Sequence, residues 1–186
     1  MNNFIYHNPT KLVFGKGQIA RLPKLIPAGK RIMLTFGGGS VKRNGVYDQV
    51  VAALEGRDLV EFWGIEANPS VETLREAIAL GKERKVDFLL AVGGGSVIDS
   101  CKAIAYGLAE PEHDVWELYA GQRKAKACFP VASVLTIAAA GSEMSNSCVI
   151  TNTDTEEKRA YDDDLARPKF AIMDPELTMT LPDYQT

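Results

Sequence analysis

Two hydrophobic periods alternate along the chain. Short apolar runs at Arg31–Phe36, Leu59–Phe62, Phe88–Val92 and Pro130–Thr136 have the length and β-branched content of strands buried on both faces. Between them the apolar residues recur at helical spacing. This predicts a short helix over Gly17–Ile26, ending before Pro27, and longer ones over Val46–Leu54 and Val71–Arg84. A further helix runs from Val97 through Cys101, Ile104, Ala105 and Leu108. Ser147–Thr151 and Lys169–Met173 extend the set of strands. Strand–helix alternation of this kind predicts an α/β fold, a parallel sheet flanked by helices. Ahead of it, Phe4–His7 and Lys11–Phe14 flank the turn signal Asn8-Pro9, so an N-terminal β arm is expected, as a hairpin or as two extended edges.

Two of the strands end in the same way. Phe36–Val41 and Val92–Val97 each read as a strand residue followed by Gly-Gly-Gly-Ser-Val. Glycines keep side chains away from the backbone and permit the dihedrals of a tight loop. The helix that follows offers unpaired amides at the positive end of its dipole, and Ser96 is expected as its N-cap. Neither nucleotide fingerprint is matched. Ile98 stands where Gly-x-Gly-x-x-Gly needs its third glycine, and no Gly-Lys-Ser/Thr occurs. Locally, two readings stay open: a phosphate loop, or a tight turn without a ligand. The duplication favours a dinucleotide, which offers more than one phosphate at the carboxyl edge of a sheet.

Composition narrows the partners. The chain has 186 residues, is 46% hydrophobic and carries a formal charge of −3. That is a single globular domain with material for a sizeable core. Without basic runs, nucleic acid and anionic membranes are not expected as partners. Cys101, Cys128 and Cys148 have no CxxC spacing and are read as structural thiols. No signal peptide or membrane-length apolar run is visible, which makes the cytoplasm the expected location. His7 and His113 have no helical i, i+4 partner and are read as surface residues. Tyr119 and Arg123 lack the lysine of a tyrosine–lysine reductase pair, and Asp162–Asp164 is read as an exposed acidic turn.

Taken together, Gly93-Gly-Gly-Ser-x-x-Asp99, the segment Thr136–Ser145 and Asp174-Pro-Glu-Leu-Thr-Met-Thr-Leu-Pro182 resemble the iron-containing alcohol dehydrogenase family. The opening Asn8–Gly17 and Gly37-Gly-Gly-Ser-Val-Lys42 look like its branch of NADPH-dependent butanol dehydrogenases and broad-specificity aldehyde reductases. The resemblance implies a Rossmann-like domain holding NADP(H), with an alcohol or aldehyde as substrate. It implies that Gly37, Gly38, Gly39 and Ser40 surround the adenosine ribose, with the Asn68-Pro69 turn nearby. Gly94, Gly95 and Ser96 correspond to the pyrophosphate loop, and Asp99 to the nicotinamide-ribose end of the same helix. Thr136 and Ser142 match polar residues across the cleft, whereas Ala140 stands where the family has threonine. Ser142 and Glu143 alternatively read as a helix-start cap. Lys42 and Arg43 offer positive charge, and no Asp or Glu lies between Phe36 and Asp48, so NADP is expected over NAD.

The family's metal ligands, an aspartate and three histidines, correspond to segments beyond Leu181-Pro182. Residues 1–186 are therefore expected to be the nucleotide-binding domain. The helical domain with its divalent iron or zinc would be absent from this chain, no catalytic residue or metal ligand would lie on it, and it would be inactive alone. By resemblance the β arm pairs across a two-fold axis, giving a homodimer. The rival readings are a glycerol-dehydrogenase-like or dehydroquinate-synthase-like enzyme and a stand-alone nucleotide-binding module.

Overall fold

A computed structural model describes residues 3–5 and 7–179. Its main sheet has six strands: β1 (Lys11–Phe14), β2 (Arg31–Phe36), β3 (Asp58–Phe62), β4 (Phe88–Gly93), β5 (Val131–Leu135) and β8 (Phe170–Met173). Their order is β1-β8-β5-β4-β2-β3 and every pairing is parallel. The central strands β4 and β5 are buried at every position, so they carry no polar-out face and read as continuous apolar runs. Successive residues face opposite sides. Ile32, Leu34, Phe36, Leu90 and Val92 belong to one core; Met33, Leu89 and Ala91 belong to the other.

Helices cover both faces. A short 3-10 turn (Gln18–Arg21) leads into α1 (Leu22–Leu25), so the expected helix over Gly17–Ile26 is present as two short pieces. With α2 (Ser40–Arg43) and α3 (Val46–Ala53), these pieces pack on the face of Ile32 and Leu34. The opposite face takes α4 (Val71–Glu83) and α5 (Gly95–Ala109). Ser70 caps α4 by accepting from the Thr73 amide at 3.3 Å, a contact worth about 1 kcal/mol. Every residue of α5 from Val97 to Leu108 except Asp99 is buried. The sheet lies under α5, with α4 beside it and a two-stranded antiparallel ribbon, β6 (Ser147–Asn152) and β7 (Glu157–Asp162), also packed against it.

One expectation needs correction and another gains detail. The β arm is not a hairpin: Phe4, Ile5 and His7 lie outside any strand, Tyr6 lies outside the described residues, and β1 pairs in parallel with β8. Val13 supplies the reason, since its side chain enters the core from the sheet edge while Leu12 and Phe14 stay exposed. The expected strand at Ser147–Thr151 exists, but as β6 of the separate ribbon. Its partner β7 was not anticipated. The acidic run starts at the end of that strand, and Asp163 then caps a short turn by accepting from the Leu165 amide at 2.9 Å. All three cysteines are free thiols.

Candidate cofactor site

The two Gly-Gly-Gly-Ser loops leave adjacent strands side by side, because Phe36 is opposite Val92 in the β2–β4 register. After β2 the chain turns to the face of α2 and α3; after β4 it turns to the opposite face, into α5. The strand order reverses at this point, and an open α/β sheet leaves a ligand crevice where it does. The expected pairing of the loops on one sheet edge is thus present in the fold.

Glycine is needed at particular points of these loops. Gly39 has φ +92°, a conformation that suits few other residues. Val97 packs between the loops: its Cγ2 is 3.6 Å from where a Gly37 Cβ would stand, and its Cγ1 is 3.2 Å from the equivalent point on Gly93. Gly38 is open, with nothing within 4 Å of such a Cβ. Over the second loop lies the chain following β5, where Ala140 Cβ is 3.0 Å from the Gly95 Cβ position.

Ser96 is not the N-cap. Gly94 occupies that position, no side chain caps the helix, and Ser96 lies in the first turn with its hydroxyl donating to the Ala67 carbonyl. The first amides of α5 are therefore left uncapped by any side chain at the mouth of the crevice, as an anionic group requires. The same Ser96 bond draws the loop after β3 inward. There Asn68 Oδ1 accepts from Lys158 Nζ at 2.9 Å, and the Pro69 carbonyl accepts from the Thr151 amide at 2.9 Å.

Asp99 lies one turn into α5. Its Oδ1 accepts from the Ser142 hydroxyl and its Oδ2 from the Val149 amide at 3.0 Å. Burial pushes its pKa above the ordinary aspartate value, while these two donors and the Lys102 and Lys158 charges pull it back. Ser142 begins a short 3-10 turn (Ser142–Met144), but it caps nothing; Gly141 precedes the turn and the Ser142 side chain is spent on Asp99. The Thr136 amide donates to the Gly93 carbonyl at 3.1 Å, tying the end of β5 to the glycine loop.

Lys42 stands apart from this cluster. Its ammonium lies 4.1 Å above the Trp63 ring and 5.2 Å from that of Tyr47. Both rings are anchored by Glu61, which accepts from Tyr47 Oη and Trp63 Nε1 at 2.8 Å each. An exposed cation–π contact is worth about 0.5–1 kcal/mol, less than the 1.5–3 kcal/mol of a charge-assisted hydrogen bond, so a phosphate within reach would win the ammonium.

Two residues escaped the sequence reading. Lys158 brings a cation to Asn68 from β7, a strand whose alternation of half-exposed and exposed polar residues left no clear hydrophobic signal. Lys102 is fully buried in α5. A lysine inside the apolar stretch Cys101–Leu108 was the available sign, because a buried charge needs partners.

The comparisons with known proteins agree with this architecture. The family model described as "Iron-containing alcohol dehydrogenase" matches residues 9–175. The chain belongs to the iron-containing alcohol dehydrogenase family. Among curated members, the probable NADH-dependent butanol dehydrogenase 1 of Bacillus subtilis is 49% identical, with 100% of this chain aligned to 49% of that protein. The NADPH-dependent aldehyde reductase YqhD of Escherichia coli is also 49% identical, over 100% of this chain and 48% of its own length. The crystal structure of the family's NADH-dependent butanol dehydrogenase A from Thermotoga maritima superposes with a TM-score of 0.94, at 45% identity, covering 100% of this chain and 48% of that one. The chain spans about half the length of the curated relatives it matches.

Among the described residues, no three or more of His, Cys, Asp and Glu cluster as a metal site requires, and no helix is long and apolar enough to cross a membrane.

Proposed function

We propose that this chain is the nucleotide-binding domain of a cytoplasmic alcohol dehydrogenase or aldehyde reductase that moves a hydride between NADP(H) and a primary alcohol or carbonyl. The observation that carries the reading is the pair of glycine loops on neighbouring strands at the point where strand order reverses, one of them opening a helix with no side-chain cap. NADP(H), when bound, supplies or accepts the hydride. The α5 amides at Gly95 and Ser96 then bind the pyrophosphate, and Gly37–Ser40 leave room for the adenosine ribose, with Asn68 and Pro69 beside it. Asp99, Thr136 and Ser142 orient the nicotinamide ribose. Substrate contacts and the iron or zinc belong, on this reading, to the half of the relatives that the chain does not span.

The relatives divide on cofactor: the name of the Escherichia coli protein specifies NADPH, that of the Bacillus subtilis protein NADH. The NADP preference proposed here rests on this chain's own loop, where Ser40 and Lys42 offer donors and no carboxylate follows β2 before Asp48. Titration calorimetry with NADPH, NADH and ADP tests the reading. Saturable binding of a dinucleotide, weakened by Gly94→Val, is the expected result. Absence of binding by the wild-type chain overturns it. Steady turnover of an aldehyde with NADPH by this chain would instead refute the placing of the substrate site elsewhere.

A further inference from the structure

Lys102 follows Asp99 by one turn of α5 and has no solvent-accessible surface. Its Nζ donates to three carbonyl oxygens, those of Ser142 at 2.8 Å, Ser145 at 3.0 Å and Ser147 at 2.8 Å. Three acceptors match the three N–H bonds of an ammonium; a neutral amine would turn its lone pair against one of the carbonyls. The Ser142 and Ser145 hydroxyl oxygens, at 3.1 and 3.3 Å, complete the shell. Burial holds the lysine pKa below its ordinary value, and the Asp99 charge opposes that shift.

The shell is continuous with the neighbouring bonds. The Asp99 carboxylate can only accept, so the Ser142 hydroxyl, whose oxygen lies 3.1 Å from Lys102 Nζ, sends its proton to Asp99 Oδ1. The Ser145 hydroxyl oxygen also receives the Ser147 amide at 3.2 Å, just before β6 begins. Remove the ammonium, and three carbonyls, that of Ser142 buried and those of Ser145 and Ser147 partly so, converge with nothing between them. Acceptors left unpaired away from water are costly, so the 142–147 segment opens to water and takes Ser142 off Asp99.

We infer that Lys102 is a positioning residue: a tethered internal cation that folds the 142–147 segment over α5 and thereby sets Ser142 and Asp99 for the nicotinamide ribose. The inference rests on the cofactor reading above. It predicts an asymmetric effect along the ligand. The adenosine loop Gly37–Ser40 shares no hydrogen bond with Lys102, whereas Ser142 and Asp99, two of the three groups assigned to the nicotinamide ribose, are linked to it.

The test compares NADPH with ADP, which carries the adenosine and pyrophosphate but no nicotinamide ribose. In Lys102→Met, calorimetry should show NADPH binding weakened roughly tenfold or more, as the loss of a charge-assisted contact implies, with ADP affinity changed less than about twofold. A purely structural lysine would lower Tm and either spare both ligands or weaken both equally; either result overturns the inference while leaving the cofactor reading intact. Should Lys102→Met fail to fold, Ser145→Ala decides by the same criterion. It removes one hydroxyl of the shell and should weaken NADPH, and not ADP, by a few-fold. A wild-type chain that binds neither ligand overturns the cofactor reading and the inference with it.

Discussion

Ile78 of α4 sits in the place where a side chain on Gly107 of α5 would stand. A Cβ built on Gly107 falls inside contact distance of Ile78 Cδ1 and 2.9 Å from its Cγ1. The exchange is reciprocal: Leu108 fills the space over Gly81, with its Cδ2 2.8 Å from the corresponding point. Two glycines thus set how closely α4 approaches α5 near their C-terminal ends. In Gly107→Ala, about 1 kcal/mol of helix propensity is gained, but overpacking costs about 1–3 kcal/mol. At this separation the clash wins. Gly107→Ala should lower Tm by several degrees, and Ile78→Val in the same chain should recover part of the loss. Thermal unfolding of the four members of this cycle checks it; strictly additive effects would show that the two residues do not meet.

Acid stability should depend on Glu110. This residue is buried at the end of α5, where its Oε2 accepts from Arg123 Nη1 at 3.0 Å and from the Lys126 amide at 3.1 Å. Burial alone would raise its pKa, but the Arg123 and amide bonds prevail and hold it below the ordinary 4.5. The unfolded chain therefore binds this proton more readily than the folded one. The stabilisation is fully present above pH 4.5 and is lost as pH falls through the lowered folded value. Glu110→Gln should be clearly less stable than wild type at pH 7, and the gap should close below that window. A gap that stays constant down to pH 3 would contradict the assignment.

The central βαβ core was legible because burial on both faces forces unbroken apolar runs, as in Phe88–Val92, and amphipathic helices force a 3.6 period, as in Val71–Glu83. The glycine loops were legible for a different reason: a repeated pentapeptide after two strands has few other uses. The ribbon was half legible. Cys148 and Ile150 mark β6, but β7 reads Glu-Lys-Arg-Ala-Tyr-Asp, with no buried face to impose a pattern. Nor could Ser96 be told from a cap by type alone. The deciding fact is that the helix starts two residues earlier, which frees its hydroxyl for Ala67. The hydrogen-bond shell of Lys102 comes from residues forty or more positions away, which no local pattern reveals.

Self-association should run through the N-terminal edge. Phe4 and Ile5 are 82% and 98% exposed, and on β1 Leu12 and Phe14 are half-exposed or more. One side of β1 pairs with β8; the other is an edge of the sheet. The proposed homodimer would bury these apolar groups and pair the edge. Sedimentation should then give a dimer for the wild-type chain and a monomer for Phe14→Glu or for a chain lacking residues 1–10. Wild-type protein that sediments as a monomer, or variants that remain dimeric, would rule this surface out.

Cofactor preference offers the most direct test of the first glycine loop. NAD and NADP differ only at the adenosine 2′ position, and a carboxylate after β2 would accept from the hydroxyl of one and repel the phosphate of the other. In this chain that position is glycine. Gly39 is a poor place to introduce the carboxylate, because its φ of +92° would strain any L side chain and confuse repulsion with misfolding. Gly38 is the better site: its φ lies outside the left-handed region and nothing stands within 4 Å of a new Cβ. Wild-type chain should bind NADPH about ten- to a hundredfold more tightly than NADH, the equivalent of a charge-assisted contact from Ser40 or Lys42. Gly38→Asp should reverse that order without lowering Tm, and Lys42→Met should reduce the NADPH advantage while leaving NADH alone. Moving from low to moderate salt should narrow the wild-type gap, since an exposed ammonium is screened. Calorimetric titration of all three chains with both cofactors decides it, and tighter NADH binding by the wild type would end the case for NADP.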